Sequence, residues 1–202
     1  MNKPKIRIDG FNEEWIRKSL KELSEPLKYG LNAAAIPFDG INKYIRISDI
    51  DDSTHEYQSS NISSPNVNVL LCQDYILNEQ DIVFARTGAS VGKSYLYKKE
   101  DGKVFFAGFL IRARILKDYN PEFVFQYSLT KDFKDFIKVT SQRSGQPGVN
   151  SKEYGDYNLK IPNLSEQQAI ADFFKSLDSM INLTSKKIEK LKQTLTGCMQ
   201  TM

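Results

Sequence analysis

The 202-residue chain is poor in the side chains that most enzymes and extracellular scaffolds depend on. It has one histidine, His55, and two cysteines, Cys72 and Cys198, widely separated in sequence. One histidine and two distant thiols do not make an ordinary zinc site, and the cysteines read as unpaired thiols of a reducing compartment rather than a disulfide framework. His55 stands among Asp51, Asp52 and Glu56 and is expected to be a solvated surface side chain. There is no glycine-rich loop after the first strand of the kind a nucleotide methyltransferase needs. A metal nuclease requires clustered carboxylates. The only such fragment, Asp101-Gly102-Lys103, falls in a turn without an obvious acidic partner. The longest apolar run, residues 104–111, is far short of the roughly 20 residues that span a bilayer. Lys3, Lys5, Arg7, Asp9, Glu13 and Glu14 interrupt the first fifteen residues, so no signal peptide is expected and the expected location is cytoplasmic.

What is present is ordinary globular material. Hydrophobic residues make up 40% and charged residues 26%, which excludes wholesale disorder and fibrous repeats. The length suits one full domain plus a smaller appendage. The net charge of +3 is unevenly spread: residues 81–160 hold 14 basic and 9 acidic side chains, against 9 and 12 in the first 80. The middle of the chain is therefore where a polyanion would be met.

Residues 44–48, 81–86 and 94–97 have the β-branched and aromatic content of strands. The long apolar run 103–116, with Arg112 and Arg114 alternating against Ile111, Ala113 and Ile115, is expected to form a hairpin or meander with the strand before it. Asn120 and Pro121 are an N-cap and first-turn proline for a helix, in which Phe125, Leu129, Phe133 and Phe136 form one apolar face. A polar loop, residues 141–150, follows.

Past Pro162 the pattern changes. Ser165 to Gln168 fits a capping box, and behind it Ile170, Phe174, Leu177, Ile181, Thr184, Ile188, Leu191 and Leu195 alternate at spacings of four and three. This predicts a helix of roughly 45 Å at about 1.5 Å per residue, with a seam that asks for a partner helix. Phe173, Met180 and Leu183 widen the stripe in its first half, where the helix is expected to lean on the globular part. The chain thus divides into residues 1–160 and 161–202. The fold class is α+β: a globular mixed β-sheet domain with helices, then one long coiled-coil-type helix.

Two segments carry candidate binding chemistry. Residues 87–94 end in Gly92-Lys93-Ser94 after a strand, as a phosphate-binding loop does. Such a loop needs four residues between its glycines and a helix behind it. Here three residues separate Gly88 from Gly92, and a strand follows. A nucleotide-binding enzyme is therefore the weaker alternative. The better reading is a tight glycine turn that brings Arg86, Thr87, Ser90, Lys93 and Ser94 to a phosphate backbone or base edge. In the second segment, Arg143, Gln146 and Asn150 are side chains able to make paired hydrogen bonds with guanine or adenine. Another alternative is a helix-mediated interaction module that binds no DNA.

The chain resembles the specificity subunit of a type I restriction-modification system, or one half of one. The resemblance is carried by Pro4-Lys5-Ile6-Arg7, Gly10-Phe11 and Trp15 at the start, by residues 81–93, by Ser144-Gly145-Gln146-Pro147-Gly148-Val149-Asn150, and by Ile161-Pro162, Leu164-Ser165-Glu166-Gln167 and the seam behind them. These span nearly the whole chain in a specific order. Subunits of that family usually hold two recognition domains and two spacer helices in about twice this length. The resemblance implies a non-catalytic reader of duplex DNA that selects a half-site of a split target. Arg86, Thr87, Ser90, Lys93, Ser94, Arg143, Ser144, Gln146 and Asn150 would be its contact residues. Ile170, Phe174, Leu177, Ile181, Ile188, Leu191 and Leu195 would pair with a second half or a second copy. It also implies modification and restriction subunits as partners, with S-adenosylmethionine, ATP and Mg2+ belonging to those partners and no cofactor in this chain.

Overall fold

A computed structural model of the chain describes residue 4, residues 6–142 and residues 145–200, with side chains left aside at 59 and 197–200. In chain order its regular elements are β1 (Ile16–Ser19), α1 (Leu20–Leu23), β2 (Lys28–Tyr29), β3 (Ala35–Pro37), β4 (Lys43–Ile45), β5 (Ser63–Pro65), β6 (Asp81–Ala85), β7 (Ser94–Leu96), β8 (Val104–Phe106), β9 (Leu110–Arg114), α2 (Pro121–Ser128), α3 (Lys131–Thr140), α4 (Ser151–Gly155), β10 (Asn158–Ile161) and α5 (Leu164–Gln200). Short 3-10 turns fill several connections, including Ile47–Asp49, where the expected strand 44–48 stops early.

The central sheet has the order β2-β9-β6-β7, and three two-stranded pieces, β1-β10, β3-β5 and β4-β8, surround it. Every residue of β6 is buried, because both of its faces are covered. Ile82 and Phe84 pack with Ile111, Ala113 and the helical side chains Phe123, Phe133 and Tyr154. The alternate residues Val83 and Ala85 pack with Ile45, Tyr95, Phe106 and Leu110. Period-two alternation thus feeds two cores from one strand. The architecture is the α+β arrangement expected, and its sheets are mixed: β4 and β8 are parallel while the other pairs are antiparallel.

Three local expectations are corrected. The run 103–116 is not a hairpin with β7. It breaks at Ala107 to Phe109; β8 joins β4, and β9 joins β6 with Ala85 opposite Leu110. A buried ion pair explains the choice of β6: Arg114 donates from Nε and Nη2 to the two carboxylate oxygens of Asp81, at 2.8 and 2.9 Å, and Asp81 has no exposed surface. A bidentate pair of this kind fixes register as well as partner. Second, the helix after Asn120 is two helices. Asn120 caps α2 as expected. Thr130, whose hydroxyl accepts from the Phe133 amide, then starts α3. Phe125 and Phe133 are buried regardless, with Leu129 and Phe136 packed partly against them.

The third correction concerns the root of α5. The first-turn amide of Glu166 donates to Asn163 Oδ1 at 2.9 Å, so Asn163 rather than Ser165 is the cap. Gln168 does not reach back; its Oε1 accepts from Asn120 Nδ2 at 2.7 Å. Beside it, Gln167 accepts from the Asn120 amide and donates to the Pro162 carbonyl. Glu166, with no exposed surface, takes Arg7 Nε and Nη2 at 2.7 and 2.6 Å and Trp15 Nε1 at 3.2 Å. These polar side chains serve as an anchor.

The long helix then runs past the head of α2, with Lys175, Asp178 and Asn182 lining a cavity beside Asn120 and Glu122, before it leaves the globular part. Ala171 is buried and Ile170 packs partly on the core. Phe173, Met180 and Leu183, expected to lean on the domain, are 52%, 65% and 69% exposed. The seam residues Phe174, Leu177, Ile181, Ile188, Leu191 and Leu195 are exposed too. Among the described residues no helix is long and apolar enough to cross a membrane.

Candidate nucleic-acid interface

The glycine turn and the late polar loop, far apart in sequence, meet at one end of the central sheet. Thr87 and Gly148 form an antiparallel bridge. The Gly88 amide donates to the Pro147 carbonyl at 3.0 Å, and the Val149 amide donates to the Arg86 carbonyl at 2.9 Å. Gly88 has φ +77, a conformation that favours glycine, and a Cβ there would meet Gln146 Nε2 at an ordinary contact distance of 3.4 Å. Gly92, at φ +87, closes the turn: its amide donates to the Ala85 carbonyl at 3.0 Å. A Cβ at position 92 would lie 2.9 Å from Ile137 of α3, so glycine is required by conformation and by space.

Tyr154 supports this turn from beneath. Its buried hydroxyl donates to the Ala85 carbonyl at 2.6 Å and accepts from the Gly92 amide at 3.1 Å. Burial pushes its pKa well above that of an ordinary phenol, which keeps the hydroxyl a donor. At the same sheet end the Arg86 guanidinium lies 5.0 Å from the Tyr29 ring centre, a cation–π geometry. Tyr29 in turn accepts a hydrogen bond from the Ser151 amide at 3.1 Å. The Ser151 side chain and amide together, with the Arg86 charge adding to them, hold the Tyr29 phenol below its usual pKa.

The expected contact residues have unequal access. Arg86, Thr87 and Ser90 are half-buried, and Gln146 is exposed. Lys93 is half-buried, its side chain only 11% exposed; Nζ donates to the Ile50 carbonyl at 3.0 Å and pairs with the exposed Asp52 at 2.5 Å. It can meet a phosphate only by exchanging Asp52 for it. Ser94 is fully buried, and its hydroxyl shares a hydrogen bond with Ser128, so direct contact from Ser94 is ruled out. Asn150 caps α4 by accepting from the Glu153 amide at 2.9 Å. The cap fixes its carbonyl oxygen toward α4, while the exposed side chain keeps its amide donors and a second lone pair. Arg143 and Ser144 lie outside the described residues.

His55 is also corrected. It is half-buried at φ +58, with Nδ1 2.9 Å from the Ser94 carbonyl and its ring edge-on to Phe125. A carbonyl only accepts, so Nδ1 carries the proton and His55 pins the loop that offers Asp52 to Lys93.

A cavity of about 420 Å3 lies between the glycine turn and α3, lined by Asp52, Ser90, Lys93, Lys134 and Lys138 among others. Three ammonium groups against one carboxylate make it suited to an anion. Lys134 and Lys138, with Tyr29 and Tyr154, escaped the reading of the sequence. The lysines had a signal, a three-and-four spacing from Lys131 along one helix face. The tyrosines had none. Behind Lys93 the chain continues as β7, so no helix aims its amides into the turn as nucleotide-phosphate binding requires. Among the described residues no group of three His, Cys, Asp or Glu side chains gathers as a metal site.

Comparison with known proteins bears on this arrangement. A family model described as Type I restriction modification DNA specificity domain matches residues 12–193. The type I restriction enzyme MjaVIII specificity subunit of Methanocaldococcus jannaschii is 27% identical over 145 residues, covering 72% of this chain and 33% of the relative. A second specificity subunit of that organism, the putative MjaX subunit, is 25% identical over 209 residues, covering 98% and 48%. The chain therefore spans between a third and about half of the length of these relatives. Among solved structures, the S subunit of a type I restriction-modification system from M. genitalium superposes with a TM-score of 0.62 at 17% identity, covering 90% of this chain and 44% of that one. The HsdS subunit from Thermoanaerobacter tengcongensis gives 0.59 at 16%, covering 84% and 43%. At such identities the likeness concerns the fold.

Proposed function

The chain belongs to the type I restriction-modification DNA specificity family, and from that premise we propose that it is a non-catalytic, sequence-specific reader of duplex DNA. Residues 1–160 select a half-site. Residues 161–202 space that half-site from a second one, read by another recognition half or a second copy of this chain. Methyl transfer and cleavage then fall to modification and restriction subunits, which would bring S-adenosylmethionine, ATP and Mg2+. The observation that carries this reading is the joining of two polar loops at one sheet end by the Thr87–Gly148 bridge, beside Arg86 and the cationic cavity. The loops supply hydrogen-bonding edges for bases, and the lysines supply phosphate contacts.

The test is a titration of the purified chain against a fluorescent pool of randomised duplexes over a range of salt. The logarithm of affinity should fall linearly with the logarithm of salt, and K134A/K138A should make that slope shallower by up to about two, one per phosphate contact. Binding that ignores salt, or none at any salt, would refute the reading and favour a helix-mediated interaction module.

A further inference from the structure

Phe109 is a large aromatic held out into solvent by a hydrogen-bonded turn. It is 63% exposed, although its neighbours Leu110 and Ala107 are buried. The turn that carries it is pinned on all sides. The Leu110 amide donates to the Ala107 carbonyl at 2.8 Å, the Gly30 amide to the Leu110 carbonyl at 3.0 Å, and the Leu31 amide to the Phe106 carbonyl at 2.8 Å. Gly30 presses so closely that a Cβ there would stand 2.1 Å from the Ala107 carbonyl oxygen. Single exposed apolar residues are common, and this one is distinguished by its neighbour. The β6–β9 register, with Ala85 opposite Leu110, extends by one pair, because the Arg86 amide donates to the Phe109 carbonyl at 3.0 Å. Arg86 and Phe109 are therefore held opposite one another where the β6–β9 ladder ends, Phe109 in the turn that leads into β9.

We infer that Phe109 is a base-contacting residue that reads a thymine methyl group on the base step next to the one met by Arg86. The inference rests on the DNA reading proposed above and adds a specificity determinant to it. In an intact duplex the thymine 5-methyl is the apolar group that the major groove presents. An aromatic and a guanidinium held at facing backbone positions thus supply two unlike readers. Phe109 carries no charge, so it should alter sequence preference without altering the salt dependence.

The experiment selects duplexes from a randomised pool with the full chain and with F109A, then measures both on the selected duplex with thymine or uracil at the preferred position. Loss of one methyl contact corresponds to roughly a fourfold loss of affinity. The wild type should lose that factor on uracil, F109A should lose a similar factor on thymine and nothing further on uracil, and the salt slopes should match. F109L, which keeps apolar contact, should retain part of the preference, and it serves as the second variant if F109A melts below the wild type. Equal affinity of F109A and wild type on thymine, or no cost of uracil to the wild type, overturns the role of Phe109 while leaving the DNA reading intact. If the wild type enriches no duplex, both fall together.

Discussion

Replacing Tyr154 by phenylalanine removes one hydroxyl and leaves the packing in place. The ring is buried and stacked on Phe84 with centroids 5.1 Å apart, and the variant ring fills the same space. Two hydrogen bonds disappear: the one donated to the Ala85 carbonyl at 2.6 Å and the one accepted from the Gly92 amide at 3.1 Å. Neither partner is left bare, because the Gly92 amide still donates to the Ala85 carbonyl at 3.0 Å. The cost therefore sits near the bottom of the ~1–3 kcal/mol range for depriving a buried polar group of a partner, at about 1 kcal/mol. In a chain of this size that lowers the melting temperature by about 2–4 °C. Amide exchange at Gly92 offers a local readout, since about 1 kcal/mol less protection corresponds to roughly fivefold faster exchange. Calorimetry should show the small loss of stability, and exchange should place it in the turn. A Y154F variant that melts with the wild type and exchanges Gly92 at the same rate would show that the hydroxyl does not hold the turn.

Two further substitutions probe the frame around the site. G30A puts a methyl group against backbone atoms, 2.1 Å from the Ala107 carbonyl oxygen and 2.7 Å from that of Phe106; it should cost at least the ~1–3 kcal/mol of ordinary overpacking, seen as a lower urea midpoint, and an unchanged midpoint would mean that β2 is not clamped to the turn. I181K/I188K charges two exposed seam positions of α5, each worth about 1.5–3 kcal/mol when an isoleucine is fully buried; sedimentation equilibrium should find the wild type self-associated and the variant monomeric, and a variant that still pairs would exclude the seam as the interface.

What the sequence disclosed was local. The strand at 81–85 is visible in its side chains, and the start of α2 is visible in Asn120 and Pro121, because each depends on neighbours a few residues away. The fate of the run 103–116 is not local. It is decided by Asp81, which draws Arg114 onto β6 and leaves β8 to pair with β4. The capping box at Ser165 fails for a similar reason: Gln168 has a better use for its carbonyl, 48 positions away at Asn120. The two polar loops could be picked out singly from their glycines and hydrogen-bonding side chains. Their meeting depends on α3 and α4 bringing Gly148 back to Thr87, and on a tyrosine that looks like any other core aromatic. Burial of Ser94 is likewise a tertiary fact, whereas the Asn150 cap is local and is marked by Glu153 three residues on.

The root of α5 decides what its length can mean. Glu166 is bound by Arg7 and Trp15, and Trp15 packs edge-on to Phe123 with ring centroids 6.0 Å apart. Gln167 and Gln168 are bound to Asn120 at the head of α2. The N-terminal segment and the head of α2 therefore grip the first turn, and the direction of the helix is set relative to the sheet that carries Arg86 and the glycine turn. A helix on a loose hinge would transmit no distance, however stiff it was along its own axis. The working length is accordingly counted from the last buried residue, Ala171, rather than over the whole helix. From there to residue 196 the rise is about 37 Å at ~1.5 Å per residue, or roughly eleven base-pair steps at ~3.4 Å. On the proposed reading, that stretch sets the gap between two half-sites, and a spacing that depends on a buried Glu–Arg pair can be held only while that pair is intact.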